Sequence, residues 1–312
     1  MLAQQLANGV MLGSTYALVA IGYTLIFGVL RLLHLAHGEV FMVGAFAGLQ
    51  VVLLWHLGPV AALIGGLAGA AVVGMAIELL AFRPIRKRGN SHLAPIVSTI
   101  GIGLVLQELA TKFFGAEQTA FPSDLQSRTY HIAFLTVTGA QVFIVATAGV
   151  SMIALQQFVM RTRYGMAMRA TSESIVVASA LGINVDRVCL VTFGVASALA
   201  GIAGVLVGLN FNAISPFMGF DMGVKAMAVI VIGGLGSIYG AMVGGLILGG
   251  DQQGDANRLA HTRFRMRAGR MPSWSRYLAT VRRAIWIPCS WKRWTICWSV
   301  RGSAERSSAS IF

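Results

Sequence analysis

Apolar residues gather in long runs separated by short polar intervals, at roughly residues 6–30, 39–57, 59–82, 94–114, 141–160, 188–209 and 224–249. A bilayer core of about 30 Å asks for about 20 mostly apolar residues per helix, and each run comes close to that length. Lipid offers no partner for open backbone groups, and the alternating pattern of a barrel strand is absent, so every run is predicted as a helix. The fold class that follows is all-α, a polytopic integral membrane helical bundle with about seven spans in residues 1–250. The last run carries Gly233-Gly234-Leu235-Gly236-Ser237 at its middle, which could divide it into two short helices and move everything after it to the other face.

Composition agrees: hydrophobic residues make up 56% of the 312 and charged residues 11%, where soluble domains carry about a quarter charged. A soluble enzyme, a disordered chain and a nucleic-acid-binding surface are excluded. The net charge of +13 is unevenly spread: residues 1–250 hold 12 Lys and Arg against 8 Asp and Glu, and the last 62 hold the other 12 against 3. The N-terminus lacks the basic start of a cleavable signal peptide, so the first run reads as an uncleaved span. Cys189, Cys289 and Cys297 form no CxxC pair and support neither a disulfide framework nor zinc. Placing the Arg83-to-Arg88 loop in the cytoplasm puts nine basic residues inside, including Arg31 and those of 161–187, and three outside (Lys112, Arg128 and Lys225). The N-terminus is then external.

Glycines recur in small-xxx-small pairs, among them Gly9/Gly13, Gly44/Gly48, Gly204/Gly208 and Gly245/Gly249, as expected where helices approach closely in lipid. No phosphate loop or hydrolase motif occurs, so ATP is not hydrolysed by this chain alone. Charge inside a membrane is costly and points to function. Glu108/Lys112 and Asp221/Lys225, each acid before base at i,i+4, read instead as helical ion pairs. Glu78, five residues before Arg83 near the end of its span, suits either a pair or a water-filled vestibule and is the body's best candidate for gating. His34, His37 and Glu39 superficially resemble a metal-ligand spacing. A turn that bends at Gly38, with Glu39 at a helix N-terminus, explains the same residues without a metal. Residues 161–187 are too long for a turn and too apolar for a solvated loop; Ile175, Val176, Ala178, Ala180, Leu181 and Ile183 are available to a short helix ended by Gly182, whose apolar face should bury against another protein or, alternatively, dock back onto the bundle.

Several blocks in one order resemble the permease subunits of branched-chain amino-acid ABC transporters, specifically the H-type permease. They are residues 22–48 with Leu35-Ala36-His37-Gly38-Glu39, Glu78 with Phe82-Arg83-Pro84, Ser98-Thr99-Ile100-Gly101, Arg163 to Arg187, and Val231 to Met242. The resemblance covers about residues 1–250. It implies a multi-pass protein of the bacterial inner membrane, a second permease sharing the pathway, two cytoplasmic ATPases and a periplasmic binding protein, with no cofactor, metal or nucleic acid. It also implies that the cytoplasmic helix near 170–183 couples to the ATPase through Glu173, Ala178, Leu181 and Gly182, while Glu78, Arg83 and Glu39 remain gating or structural candidates.

Two departures stand out. Tyr239 replaces the family's usual Pro after Gly-Ser-Ile, and after Gly250 an Arg/Ser/Trp-rich tail replaces a final apolar span. Read as protein, the tail with Trp274, Trp286, Trp291, Trp294 and Trp298 could lie on anionic lipid. The abrupt change in composition favours translation out of frame. Other functions consistent with the sequence are a self-contained secondary transporter or channel, marked by intramembrane acids or broken helices, and a membrane-anchored assembly protein.

Overall fold

The computed structural model describes residues 2–267 apart from 33, 57, 89–92, 122–128 and 133–134. The chain divides into two compact units, Met1–Arg258 and Leu259–Phe312. In the second, only residues 259–267 are described, as helix. The tail expected to lie on lipid or to be out of frame falls largely outside the described residues.

In the first unit the apolar runs are helices. They are α1 (Leu2–Leu30), α2 (His37–Trp55), α3 (Pro59–Ile77), α5 (Leu93–Phe114), α6 (Gly139–Arg161) and α9 (Val185–Phe211). A π-helical turn, Glu78–Phe82, carries α3 into the short α4 (Arg83–Arg88). Two short helices, α7 (Arg163–Glu173) and α8 (Ile175–Ala180), join α6 to α9. The last apolar run is broken, as the glycine cluster allowed: α10 (Met218–Gly233) and α11 (Ile238–Arg267) meet at a bend of 117°. Gly234 (φ +94°) and Gly236 (φ +90°) make that corner, in a backbone region that side chains rarely adopt. Six helices among the described residues are long and apolar enough to cross a membrane, or seven segments if the bent pair counts as one.

Helices α1 and α9 are the interior of the bundle, whereas α3, α5 and α6 keep broad apolar faces exposed. Helix α9 packs on α1, α2 and α3, and α10 closes against α1 and α2. Small residues set these distances. A Cβ on Gly44 would collide with Gly201, one on Gly201 with Gly66, and one on Gly204 with the backbone of Phe41. With little hydrophobic drive between helices in lipid, this backbone contact supplies the dispersion attraction that holds them. Gly9, Gly13, Gly245 and Gly249 do the same between α1 and α11.

Three expectations need correction. Gly38 lies inside α2 and makes no bend; it is small because α10 crosses there, at Gly219 and Gly223. Glu108 and Lys112 are exposed on α5 and make no ion pair with each other, and Asp221 makes none with Lys225. The Lys225 ammonium lies 5.6 Å above the ring of Tyr16 of α1, where the aromatic face substitutes for a counter-ion.

The run-based reading foresaw no strands. The described residues contain two antiparallel pairs, β1 (Thr119–Ala120) with β4 (Ala213–Ile214) and β2 (Thr129–Ile132) with β3 (Leu135–Thr138). The first ties the end of α5 to the end of α9, where Asn212 turns the chain at φ +54°. At the other end of the bundle, Arg31, the π turn, α7 and the start of α9 come together, as the grouping of basic residues required.

Candidate functional site

Where α3 runs out, the side chain of Glu78 is 1% exposed, a costly position for a carboxylate without a partner. Its partner is Arg86, whose Nη2 donates to Glu78 Oε1 at 2.9 Å and to Asp186 Oδ1 at 2.7 Å. Arg83, five residues from Glu78, donates through Nε to Asp186 Oδ2 at 3.2 Å. Eight residues on, through the π turn, Arg86 comes back to the face of Glu78, while Arg83 reaches across to α9. Asp186 and Arg86 are functional candidates that the sequence reading did not single out. The available signal was Asn184 followed by Asp186, a cap and an acid in the first turn of α9. The four charges bind the end of α3 to the start of α9.

Immediately before α9 lie α7 and α8. The Thr162 side chain caps α7 by accepting from Gly165 N–H at 3.0 Å, and Ser174 caps α8 by accepting from Val177 N–H at 3.3 Å. The short helix expected from Ile175 to the stop at Gly182 is α8, and Ser174, extended at φ −156°, separates it from α7. Gly182 ends α8 at φ +82°, with its N–H donating to Ser179 O and that of Ile183 to Ala178 O. Met168, Thr171 and Ala178 are buried and seat the pair on the bundle. Facing outward are Glu173, Ile175, Val176, Val177, Leu181 and Gly182, with Leu181 at 75% exposed. Of the four residues assigned to coupling, three are exposed and Ala178 is the anchor. Arg31 Nη2 donates to Ser172 O at 3.1 Å and ties α7 to the end of α1.

Deeper in the bundle are His34, His37 and Glu39. His34 packs edge-on against Phe82 and Phe193, and His37 against Tyr23 at 4.6 Å between ring centroids. Burial, with His37 beside it, holds the His34 imidazole well below its usual range. The three side chains do not converge on a metal, and no group of three possible ligands occurs among the described residues. Glu39 stands in the first turn of α2 as expected, buried against Gly219 of α10.

A bundle with a broken last pair, two short helices at its basic end and glycine-lined contacts is the setting for the comparison with known proteins. The family described as branched-chain amino acid transport system, permease component, matches residues 5–268. The chain belongs to this family. Over 261 residues the permease is 40% identical to the high-affinity branched-chain amino acid transport system permease protein LivH of Salmonella typhimurium, covering 79% of this chain and 83% of that one. It is 36% identical to the corresponding BraD of Pseudomonas aeruginosa over 258 residues, with the same coverage. Against LivM of Escherichia coli the identity is 24% over 263 residues, covering 75% of this chain and 59% of that one. No solved structure gives a significant match. The permease is therefore a multi-pass inner-membrane transport protein of the H type, and its family match runs past Gly250 along α11.

Proposed function

We propose that this permease forms the translocation pathway of an ATP-driven importer for branched-chain amino acids, together with a second permease. Cytoplasmic ATPases drive it and a periplasmic binding protein delivers substrate. The observation that carries the reading is the α7–α8 pair: an apolar surface displayed at the basic end of the bundle, held by buried anchors and joined to the charged cluster through Asp186. The positive-inside rule puts that end in the cytoplasm, where exposed Val176 and Leu181 are suited to burial in an ATPase groove. Glu173 and Gly182 complete the docking surface. The weaker likeness to LivM supports a related second permease, and the apolar faces of α3, α5 and α6 leave room for it.

Closure of the ATPases would move α7–α8 as a body. Asp186 then carries that displacement to Arg83 and Arg86, and Arg86 carries it to Glu78 in the π turn, so α3 and α9 move together between inward and outward openings. Glu78 and Arg83 thus have gating roles within the cluster. The 251–312 tail takes no part in this reading.

A self-contained transporter is the second reading, favoured by the broken α10–α11 pair and the buried Glu39. Co-purification separates the two. The first expects ATPase to accompany the permease, with that association lost on Leu181→Asp; the second expects uptake that continues when ATP hydrolysis is blocked.

A further inference from the structure

Between α1, α2, α5 and α10 lies a cavity of about 300 Å³, open along the face made by α5 and α10. Its wall is mostly apolar: Ile100 and Leu104 from α5, Val224 and Met227 from α10. Two helices begin on it, and neither has a side-chain cap: α2 after Ala36 and α10 after Phe217. Opening turns of this kind leave N–H groups free and favour negative charge. Into the same cavity faces Glu39, only 6% exposed, and its Oε2 has no hydrogen-bond partner. A buried carboxylate oxygen left unpaired is expensive, and nothing in the charged cluster at the basic end reaches it.

These features fit one kind of molecule. We infer that the cavity is a transit site for a zwitterionic α-amino acid with an aliphatic side chain, its ammonium on Glu39 and its side chain against Ile100, Leu104 and Val224. Glu39 itself packs on Gly219, so the carboxylate lies beyond it, toward Phe220 in the uncapped first turn of α10. The two charges of a zwitterion are adjacent, so a carboxylate beside a helix start receives both. The volume accommodates a leucine-sized solute, and the open face lets it pass to a neighbouring permease. Small residues keep the site open: Gly103 faces the Glu39 side chain, where an added Cβ would stand 3.5 Å from Cγ. A longer side chain there would fill the space in front of the carboxylate.

The inference rests on the reading of the chain as an amino-acid permease, and one experiment separates the two. The complete transporter, in proteoliposomes, is irradiated with the diazirine analogue of leucine during ATP-driven leucine uptake, and the labelled peptides are mapped by mass spectrometry. Label is expected on residues 93–114 and 218–233, competed by excess leucine. Its yield should fall at least tenfold in Glu39→Gln and in Gly103→Leu, with partial return in Glu39→Asp. If Glu39→Gln or Gly103→Leu fails to assemble, Val224→Phe, at an exposed wall position, decides by the same fall. Label confined to other helices, or unchanged yield in the variants that assemble, overturns the site while leaving the transport reading intact. A wild-type transporter that takes up no leucine overturns the transport reading and the site with it.

Discussion

Arg86 holds two carboxylates at once, and one of them is almost fully buried, so its loss has a different consequence from that of its neighbour. Arg86→Met leaves Glu78 without a partner, for which about 3–5 kcal/mol of destabilisation is expected. Arg83 is 43% exposed, and Arg83→Met should cost about 0–1 kcal/mol. Thermal unfolding of the two variants in one detergent checks the order, and equal melting temperatures would contradict it. Glycine contacts give a second contrast. Gly201→Ala forces a methyl group into the backbone of Gly66, an overpacking cost of about 1–3 kcal/mol, whereas Gly28→Ala meets nothing within 4 Å and should be neutral or mildly stabilising. His34 adds a pH dependence. Its folded imidazole is held below the ordinary range while the unfolded one titrates near about 6.5, so the unfolded state binds the extra proton. Stability should therefore be present above that pH and fall below it, by up to about 1.4 kcal/mol per pH unit. Melting measured from pH 7.5 down to 5.5 should show a shallower fall in His34→Phe, which keeps a ring against Phe82 and Phe193. At this scale the sequence exposed Glu78, Glu39 and the basic residues, because charges in apolar runs are conspicuous. It hid the pairing, because Arg86 lies eight positions on from Glu78 and Asp186 about a hundred from Arg86.

The elements were more readable than their contacts. Apolar length alone located the spans to within a few residues, since lipid permits few alternatives to a helix, and the glycine cluster at 233–237 marked the break. The short strands were not legible. Two-residue β1 and β4 are held by a partner far along the chain, which no local pattern encodes. The short helix ended by Gly182 is legible as α8, whereas α7 is not, because its limits depend on side-chain caps at Thr162 and Ser174. Their proposed role makes an element-scale prediction. Leu181→Asp and Val176→Asp place charge on the exposed surface while leaving Ala178 seated, so the permease should keep its melting temperature and lose most of its ATPase on co-purification. Ala178→Asp, at the anchor, should lower the melting temperature as well. Equal ATPase recovery from wild type and Leu181→Asp would remove α7–α8 from the coupling pathway.

At the scale of the whole molecule, fold and transport function reside in the glycine-packed bundle, and coupling is assigned to its basic end. The tail contributes nothing to this account, so a chain ended after residue 268, where the family match stops, should assemble and transport as the full chain does. Movement of substrate should depend on ATP hydrolysed by partner subunits. Proteoliposomes holding this permease, its second permease and the ATPases, supplied with binding protein and labelled leucine, test it most directly. Accumulation of leucine against its gradient with ATP, abolished when a non-hydrolysable analogue replaces it, is the predicted result. Uptake by the permease alone, or uptake unchanged without hydrolysis, would contradict the account.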